Sequence, residues 1–420
     1  MSAPASRSWR DRSVLAVIVA FAGNGVLFAT WASRLPTIRD LLGLSPAQIG
    51  NLLLVGAVGS VLALPFSGAV VRRLGARRAI RAAALLAGAA VAGSSIAVVA
   101  DRLVLAGVGV ALSGISIATW DAAMNVEGAR VEQELGRAFM PRFHAAWSLG
   151  SVLGAGVGAL FALVGAPLPV HVVTAGVLVV AAMWWATSRS VMPDVVPQRV
   201  PAQGVEDGSR APAPHEPSPT PRRGSALAAW AELRTVLIGV VMLSAALTEG
   251  AANDWVALAV VDEFLVSGAW GALAFATFIS AMTAMRVFGT PLIDRFGRVT
   301  VVRATLGAAA AGLLLFCLAP SLGLALAGVF VWGLGAAIGF PIGMSAAGDD
   351  PARATARISV VATIAYGAFF AGPPLLGHLA DAWGYRHALL VILVPATLSM
   401  ILAGVLRPAP LPPAPLPPVE

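Results

Sequence analysis

The sequence contains no lysine: all 28 of its basic residues are arginine. Without lysine no Walker A motif can grip a nucleotide's phosphates, which excludes a P-loop ATPase. No Schiff base to retinal or pyridoxal phosphate can form either. The single cysteine, Cys317, lies inside an apolar run and excludes an internal disulfide. Neither His-Glu-x-x-His nor Gly-x-Ser-x-Gly occurs, so metalloprotease and hydrolase readings have no starting point. Charge is also scarce, with 12% Asp, Glu, Lys and Arg against about 25% in soluble domains. The chain is not expected to be an enzyme, and no cofactor or metal is expected.

What the sequence has instead is apolar length. Hydrophobic residues make up 58% of it, above the roughly 45–50% of soluble chains, and too few polar residues remain to cover a soluble exterior. A membrane span needs about 20 apolar residues, and that rule finds six in the first half: Ser13–Ser33, Pro46–Val70, Ala79–Ala100, Leu103–Asn125, His144–Val164 and Val170–Ser188. The first is too long for a signal-peptide core and lacks a small-residue cleavage site, so it is read as a retained helix. Six more follow: Thr235–Leu258, Ala269–Phe288, Val299–Ala319, Leu322–Ala346, Ile358–Leu379 and Ala388–Leu406. The expected organisation is an N-terminal six-helix half (1–190), a Pro-rich cytoplasmic linker (191–231), a C-terminal six-helix half (232–406) and a Pro-rich tail (407–420). The linker is too polar and proline-rich to order itself, and the tail reads as extended polyproline II.

The net charge of +7 could suggest nucleic acid, but the arginines sit in short loops between apolar runs. With the N-terminus inside, 24 arginines are cytoplasmic and four (Arg34, Arg39, Arg102, Arg386) are external. That asymmetry orients the chain with both termini in the cytoplasm and leaves no nucleic-acid face. Small residues recur every fourth position at Gly150, Gly154 and Gly158 and at Gly335, Gly339 and Gly343, a pattern for close helix packing. Pro341, Pro373 and Pro374 fall inside spans and are expected to kink them where neighbours can satisfy the freed carbonyls.

The halves share one internal repeat. Gly289-Thr-Pro-Leu-Ile-Asp294-Arg295-Phe-Gly297-Arg298 follows the second span of the C-terminal half. A worn copy, Gly68-Ala-Val-Val-Arg72-Arg73-Leu-Gly75-Ala-Arg77-Arg78, lies 222 residues earlier, with Arg72 facing Asp294. Gly-x4-Asp-Arg-x-Gly-Arg between the second and third helices of a half resembles the signature loop of the major facilitator superfamily of membrane transporters. Trp31-Ala-Ser-Arg34-Leu-Pro36, Asp121-Ala-Ala-Met-Asn125, Arg142-Phe-His144 and Gly372-Pro-Pro374 are similar to a mostly uncharacterised bacterial inner-membrane branch of it. The resemblance implies an all-α fold of twelve transmembrane helices in two six-helix halves related as parallel repeats, with spans 1, 4, 7 and 10 lining a central cavity. The loop residues Gly68, Arg72, Arg73, Gly75 and Arg77, and Gly289, Asp294, Arg295, Gly297 and Arg298, are assigned to gating. Because only the second copy keeps the acid, acid–base pairing is expected at Asp294. Gly372-Pro-Pro-x-x-Gly377 in span 11 resembles a motif that the superfamily's exporters carry in span 5, which here has no proline.

Ionisable residues inside spans cost about 2.5–3.5 kcal/mol each on insertion scales and need a partner, a cavity or a task. Glu249 is placed about 21 Å along span 7, toward the outer half, with Asn253 one turn on along the same face. It is the candidate coupling acid, or else a neutral acid bonded to a neighbouring helix. Asn24, Phe28, Trp31 and Arg34 follow one another at helical spacing in span 1. They suit a polar solute with an apolar side, or else an interhelical clasp at Asn24 and a membrane-interface belt at Trp31. Asp121 and Asn125 are placed near the cytoplasmic end of span 4, in an ion-pair network with Arg130, Arg142 and His144; a proton relay through His144 is the alternative. Arg34 is also assigned to gating, Arg286 is read as a brace of the cytoplasmic gate, and Asp254 with Trp255 as an external gate or a solvated rim ending span 7.

Together these readings describe a secondary transporter of a bacterial cytoplasmic membrane. It would move a small organic solute by alternating access, coupled to protons, as a monomer. An amphiphilic drug or metabolite exporter by proton antiport is the alternative, and a non-transporting receptor or scaffold on the same fold is another.

Overall fold

The computed structural model describes residues 5–135, 139–190, 224–350 and 353–408. Most of the expected linker and tail therefore lies outside the described residues. The N-terminal half comprises α1 (Ala5–Ala32), α2 (Leu35–Leu42), α3 (Pro46–Leu74), α4 (Ala76–Val99), α5 (Leu103–Leu135), α6 (Met140–Leu163) and α7 (Leu168–Arg189). After α8 (Gly224–Ala231), the C-terminal half comprises α9 (Leu233–Phe264), α10 (Gly268–Phe296), α11 (Arg298–Leu318), α12 (Leu322–Ala336), α13 (Gly339–Ala347), α14 (Ala354–Trp383), α15 (Tyr385–Leu390) and α16 (Leu393–Leu402). Among the described residues, twelve segments are long and apolar enough to cross a bilayer, with α1–α2, α12–α13 and the stretch from α15 to Leu406 each forming one. The protein is an all-α polytopic membrane protein of two six-helix halves.

Several helices outrun their apolar cores. The fourth segment continues from Asn125 to Leu135 and the seventh from Leu258 to Phe264. Hydropathy marks where a helix leaves lipid, whereas the backbone keeps its i→i−4 bonds until a cap ends it. Residues 224–231, expected as linker, form α8.

The repeat is visible in backbone geometry. α3 and α10 each have 29 residues and end on glycines with nearly the same dihedrals, Gly75 at φ 78°, ψ 158° and Gly297 at φ 77°, ψ 156°. Their amides donate to Val71 and Ile293. A side chain at positive φ is strained, so glycine alone turns the chain cheaply between adjacent spans. The sequence reading missed a third occurrence, Asp381-Ala-Trp-Gly384-Tyr-Arg386, where Gly384 takes φ 79°, ψ 159° between α14 and α15. It shares Asp-x-x-Gly with the signature loop and lies at the opposite end of the molecule.

Glycine also sets the helix packing. A Cβ on Gly150 would stand 2.1 Å from the Ala22 carbonyl and one on Gly154 2.5 Å from that of Val26, so α6 rides directly on the α1 backbone. Gly335 meets α11 at Ala309, and Gly339 and Gly343 meet α9 at Ala245 and Met242. Between lipid-embedded helices such close approach supplies the dispersion contacts that hydrophobic burial cannot. The halves meet along two seams, α3 against α14 and α6 against α10.

Candidate functional site

Among the described residues, the polar bonds joining the two halves cluster at the arginine-poor end. Arg39 Nη1 lies 2.5 Å from Asp262 Oδ2 and donates to the Tyr385 hydroxyl at 3.4 Å. The Ser45 hydroxyl donates to Asp381 at 3.1 Å. Gly50 and Gly377 let α3 and α14 touch there, since Cβ atoms on them would fall 2.5 Å from the Pro373 carbonyl and 2.6 Å from that of Pro46. The molecule is thus sealed at this end. Asp121, midway along α5, is nonetheless exposed.

Charge gathers at that depth. Glu249 sits at the middle of α9, not in its outer half, because the helix runs to Phe264. Arg286 Nη2 on α10 lies 3.1 Å from both Glu249 oxygens. Its Nε donates to the Ala337 carbonyl at 3.4 Å. That carbonyl is free because Pro341, four residues on, has no amide proton to return, and there the segment breaks into α12 and α13. One guanidinium therefore ties α9, α10 and the break between α12 and α13. Arg286, read from the sequence as a brace of the gate, is thus paired with Glu249 and the Ala337 carbonyl. Both partners keep some exposure, 18% for the Glu249 side chain and 29% for that of Arg286.

The N-terminal half presents its own ionisable groups opposite. His144, near the start of α6, lies within electrostatic range of Arg286 and packs edge-on against Phe21. Asp121 lies mid-helix on α5, because that helix continues ten residues past Asn125. Asn125 Nδ2 donates to the Asp121 carbonyl at 2.9 Å and to its carboxylate at 3.3 Å. Tyr366 on α14 lies within electrostatic range of Asp121 across the halves. The expected network of Asp121 with Arg130 and Arg142 does not form. Arg130 is taken by Glu127 and Glu134 on its own helix, and Arg142 stacks on Phe139 at 5.0 Å.

Other predicted residues divide between the cavity and the scaffold. Asn24 is buried and accepts from Trp147 Nε1 at 2.9 Å, clasping α1 to α6, with the Phe28 ring 5.8 Å from that of Trp147. Trp31 is half-buried against the core. Asn253 is buried beyond Glu249, its Oδ1 without a partner. Asp254 is not a rim residue. It lies within α9 beside a cavity of about 10 Å³, roughly one water, that α14 closes with Phe369, Gly372 and Pro373. Arg34, assigned to gating from the sequence, is buried in the N-terminal half and donates to the Ala166 carbonyl at 3.1 Å.

In the signature loops Arg72, Arg73 and Arg295 are exposed. Gly289 lets α10 approach Ile338 at the break in the tenth segment, where a Cβ would fall 2.6 Å from its Cδ1. Asp294 makes no hydrogen bond or ion pair with a described residue. The loop is braced instead by Arg298, which donates to Asp349 at 2.7 Å and to Ser345 at 2.9 Å. In the first half Arg77, two residues past Gly75, donates to the Ser190 carbonyl at 3.4 Å within electrostatic range of Glu127. At the same end Glu232 accepts from Arg357 at 2.6 Å, Thr235 at 2.9 Å and Arg353 at 2.9 Å. The Arg357 bond, helped by the other two, pushes this carboxyl down to about 2.

Comparison with known proteins agrees with this architecture. The family model described as Major Facilitator Superfamily matches residues 13–258 and 238–420. An uncharacterised transporter of Sinorhizobium fredii is 31% identical over 399 residues, covering 93% of this chain and 97% of that protein. An uncharacterised MFS-type transporter of Yersinia pestis is 28% identical over 367 residues, covering 86% and 88%. Among solved structures, a mutant form of the nucleoside transporter NupG superimposes with a TM-score of 0.71 at 14% identity, covering 94% of this chain and 98% of that one. The chain belongs to the major facilitator superfamily.

Proposed function

We propose that this protein is a secondary active transporter that moves a small polar organic solute by alternating access and couples that movement to protons through Glu249. The observation that carries the reading is the Glu249–Arg286 pair, partly exposed at the middle of α9 and faced from the other half by His144, which lies within electrostatic range of Arg286. Buried charge at this depth is kept for a task. With Arg286 at 3.1 Å the Glu249 carboxylate is compensated. If rocking of the halves parts them, the carboxylate is left in a low-dielectric site, where the neutral acid is the cheaper form. A proton bound in one state and released in the other is the minimum device for coupling.

The arginine asymmetry supports a cytoplasmic arginine-rich end. The arrangement described here is then inward-open, with Arg39, Asp262 and Tyr385 forming the outer closure, in a bacterial inner membrane and as a monomer. Both signature loops would act as gates, braced by Arg298–Asp349 in one half and by Arg77 beside Glu127 in the other. The mixed set of groups, with carboxylate and guanidinium at Glu249 and Arg286 and imidazole and phenol at His144 and Tyr366, suits a sugar- or nucleoside-like solute better than an amphiphilic cation.

A thermal-shift screen of the purified protein against sugars, nucleosides and cationic amphiphiles tests the reading, because a specific ligand raises the unfolding midpoint by mass action. The best ligand should then exchange across reconstituted vesicles. A ligand that binds without exchanging would make the protein a receptor on a transporter fold.

A further inference from the structure

A second polar cluster lies away from the cavity, inside the N-terminal half at its arginine-poor end. Arg34 follows α1 and is 3% exposed. Its Nη2 is satisfied by the Ala166 carbonyl, but Nε and Nη1 have no partner. His171 on α7 is 1% exposed, stacks on Phe161 at 4.8 Å, and has both ring nitrogens unpartnered. Arg34 and His171 lie within electrostatic range of each other. Thr30, one turn before Arg34 on the same face, is buried with its hydroxyl oxygen unpartnered. Gly158 on α6 brings the walls together, since a Cβ there would stand 2.1 Å from Ser33 Oγ and 3.4 Å from His171 Cε1. Among the described residues no carboxylate acts on the Arg34 guanidinium.

An arginine stays charged in proteins, and a buried charge without a counterion is among the costliest arrangements a fold can hold. The carbonyls ending α1 and the Ala166 carbonyl offset part of that charge. They leave two guanidinium donors, the imidazole and a hydroxyl buried with nothing to bind. These groups can each donate, and together they want an acceptor of negative charge. We propose that Arg34, His171 and Thr30 form a buried site for a small inorganic anion, of chloride size, held between α1, α6 and α7. Because each side chain is almost wholly enclosed, a monatomic ion fits and an organic anion does not. The ion neutralises Arg34 and locks α1 to α7, which makes it a structural ligand of the N-terminal half, independent of the solute cavity.

The test is the unfolding midpoint of the full-length protein in detergent, with sodium gluconate exchanged for sodium chloride or bromide at constant ionic strength and pH. The midpoint should rise saturably with either halide and stay flat in sulfate. Arg34→Gln should abolish the halide response. Thr30→Val removes one donor with little change of shape and should raise the half-saturating chloride concentration about tenfold. If Arg34→Gln does not fold, Thr30→Val alone decides. A midpoint indifferent to halide, an equal rise in sulfate, or an unchanged half-saturation in Thr30→Val would each overturn the site.

Discussion

The bond between Arg39 and Asp262 is the strongest polar link across the closed end, and its removal should tilt the molecule toward opening there. Arg39 is well enclosed, with 13% of its side chain exposed, whereas Asp262 keeps 36%. The pair therefore stands between a surface ion pair, at about 0.2–1 kcal/mol, and a hydrogen bond to a charged group, at about 1.5–3 kcal/mol. Asp262→Asn keeps the shape and one acceptor but removes the charge. Arg39 retains Asp40 at 2.7 Å and Tyr385, so no bare cation is left. A loss of about 1–2 kcal/mol should raise the ratio of open to closed molecules about 5–30-fold. Spin labels at Val164→Cys and Leu265→Cys, 68% and 92% exposed on opposite halves at that end, can read this ratio. Cys317 is 7% exposed and would be replaced by alanine to leave a clean background. Pulsed dipolar spectroscopy should show a longer-distance component growing in Asp262→Asn. Distance distributions that superimpose with the parent's would refute the closure argument.

Three further outcomes follow from the packing and electrostatics. Arg286→Gln should lower the unfolding free energy by about 1–3 kcal/mol by stranding Glu249 and the Ala337 carbonyl, and adding Glu249→Gln should restore part of the loss; a double-mutant cycle with no coupling would contradict the pairing. Gly150→Ala should lower the midpoint markedly, because its Cβ would sit 2.1 Å from a backbone oxygen, whereas Gly156→Ala, with nothing within 4 Å, should be neutral or stabilising. Glu232 titrates at about 2 when folded, below its ordinary 4.5. Its contribution is therefore whole above pH 4.5 and fades as pH falls toward 2, so Glu232→Gln should flatten the acid side of a midpoint-against-pH curve.

Much of the fold was legible because lipid imposes a simple rule: apolar length marks each span, and the turn glycines at Gly75 and Gly297 mark the repeat. The helix ends were not, since polar residues past the hydrocarbon remain helical, which leaves Asp121 and Glu249 mid-helix and Asp254 well inside α9 rather than near helix ends. Glu249 was found as a costly buried charge, yet its partner Arg286 lies 37 residues away on another helix, and no local pattern joins them. Pro341 held a clue, since its missing amide frees the Ala337 carbonyl that Arg286 takes. The Arg39–Asp262 closure, 223 residues apart, exists only once the halves meet. Arg130 could have been paired correctly from sequence, because Glu127 and Glu134 stand at helical spacing on either side of it. Asp294 misled because the resemblance supplied a role that the geometry gives to Arg298 and Asp349.

Coupling through Glu249 is tested most directly by solute accumulation in reconstituted vesicles under an imposed pH gradient, using the ligand that best stabilises the protein. Wild type should accumulate it against its gradient. Glu249→Gln, which keeps the shape and most of the hydrogen bonding but cannot titrate, should still exchange solute while losing accumulation. Gradient-driven accumulation that survives in Glu249→Gln would contradict the proposal and make Glu249 a structural partner of Arg286.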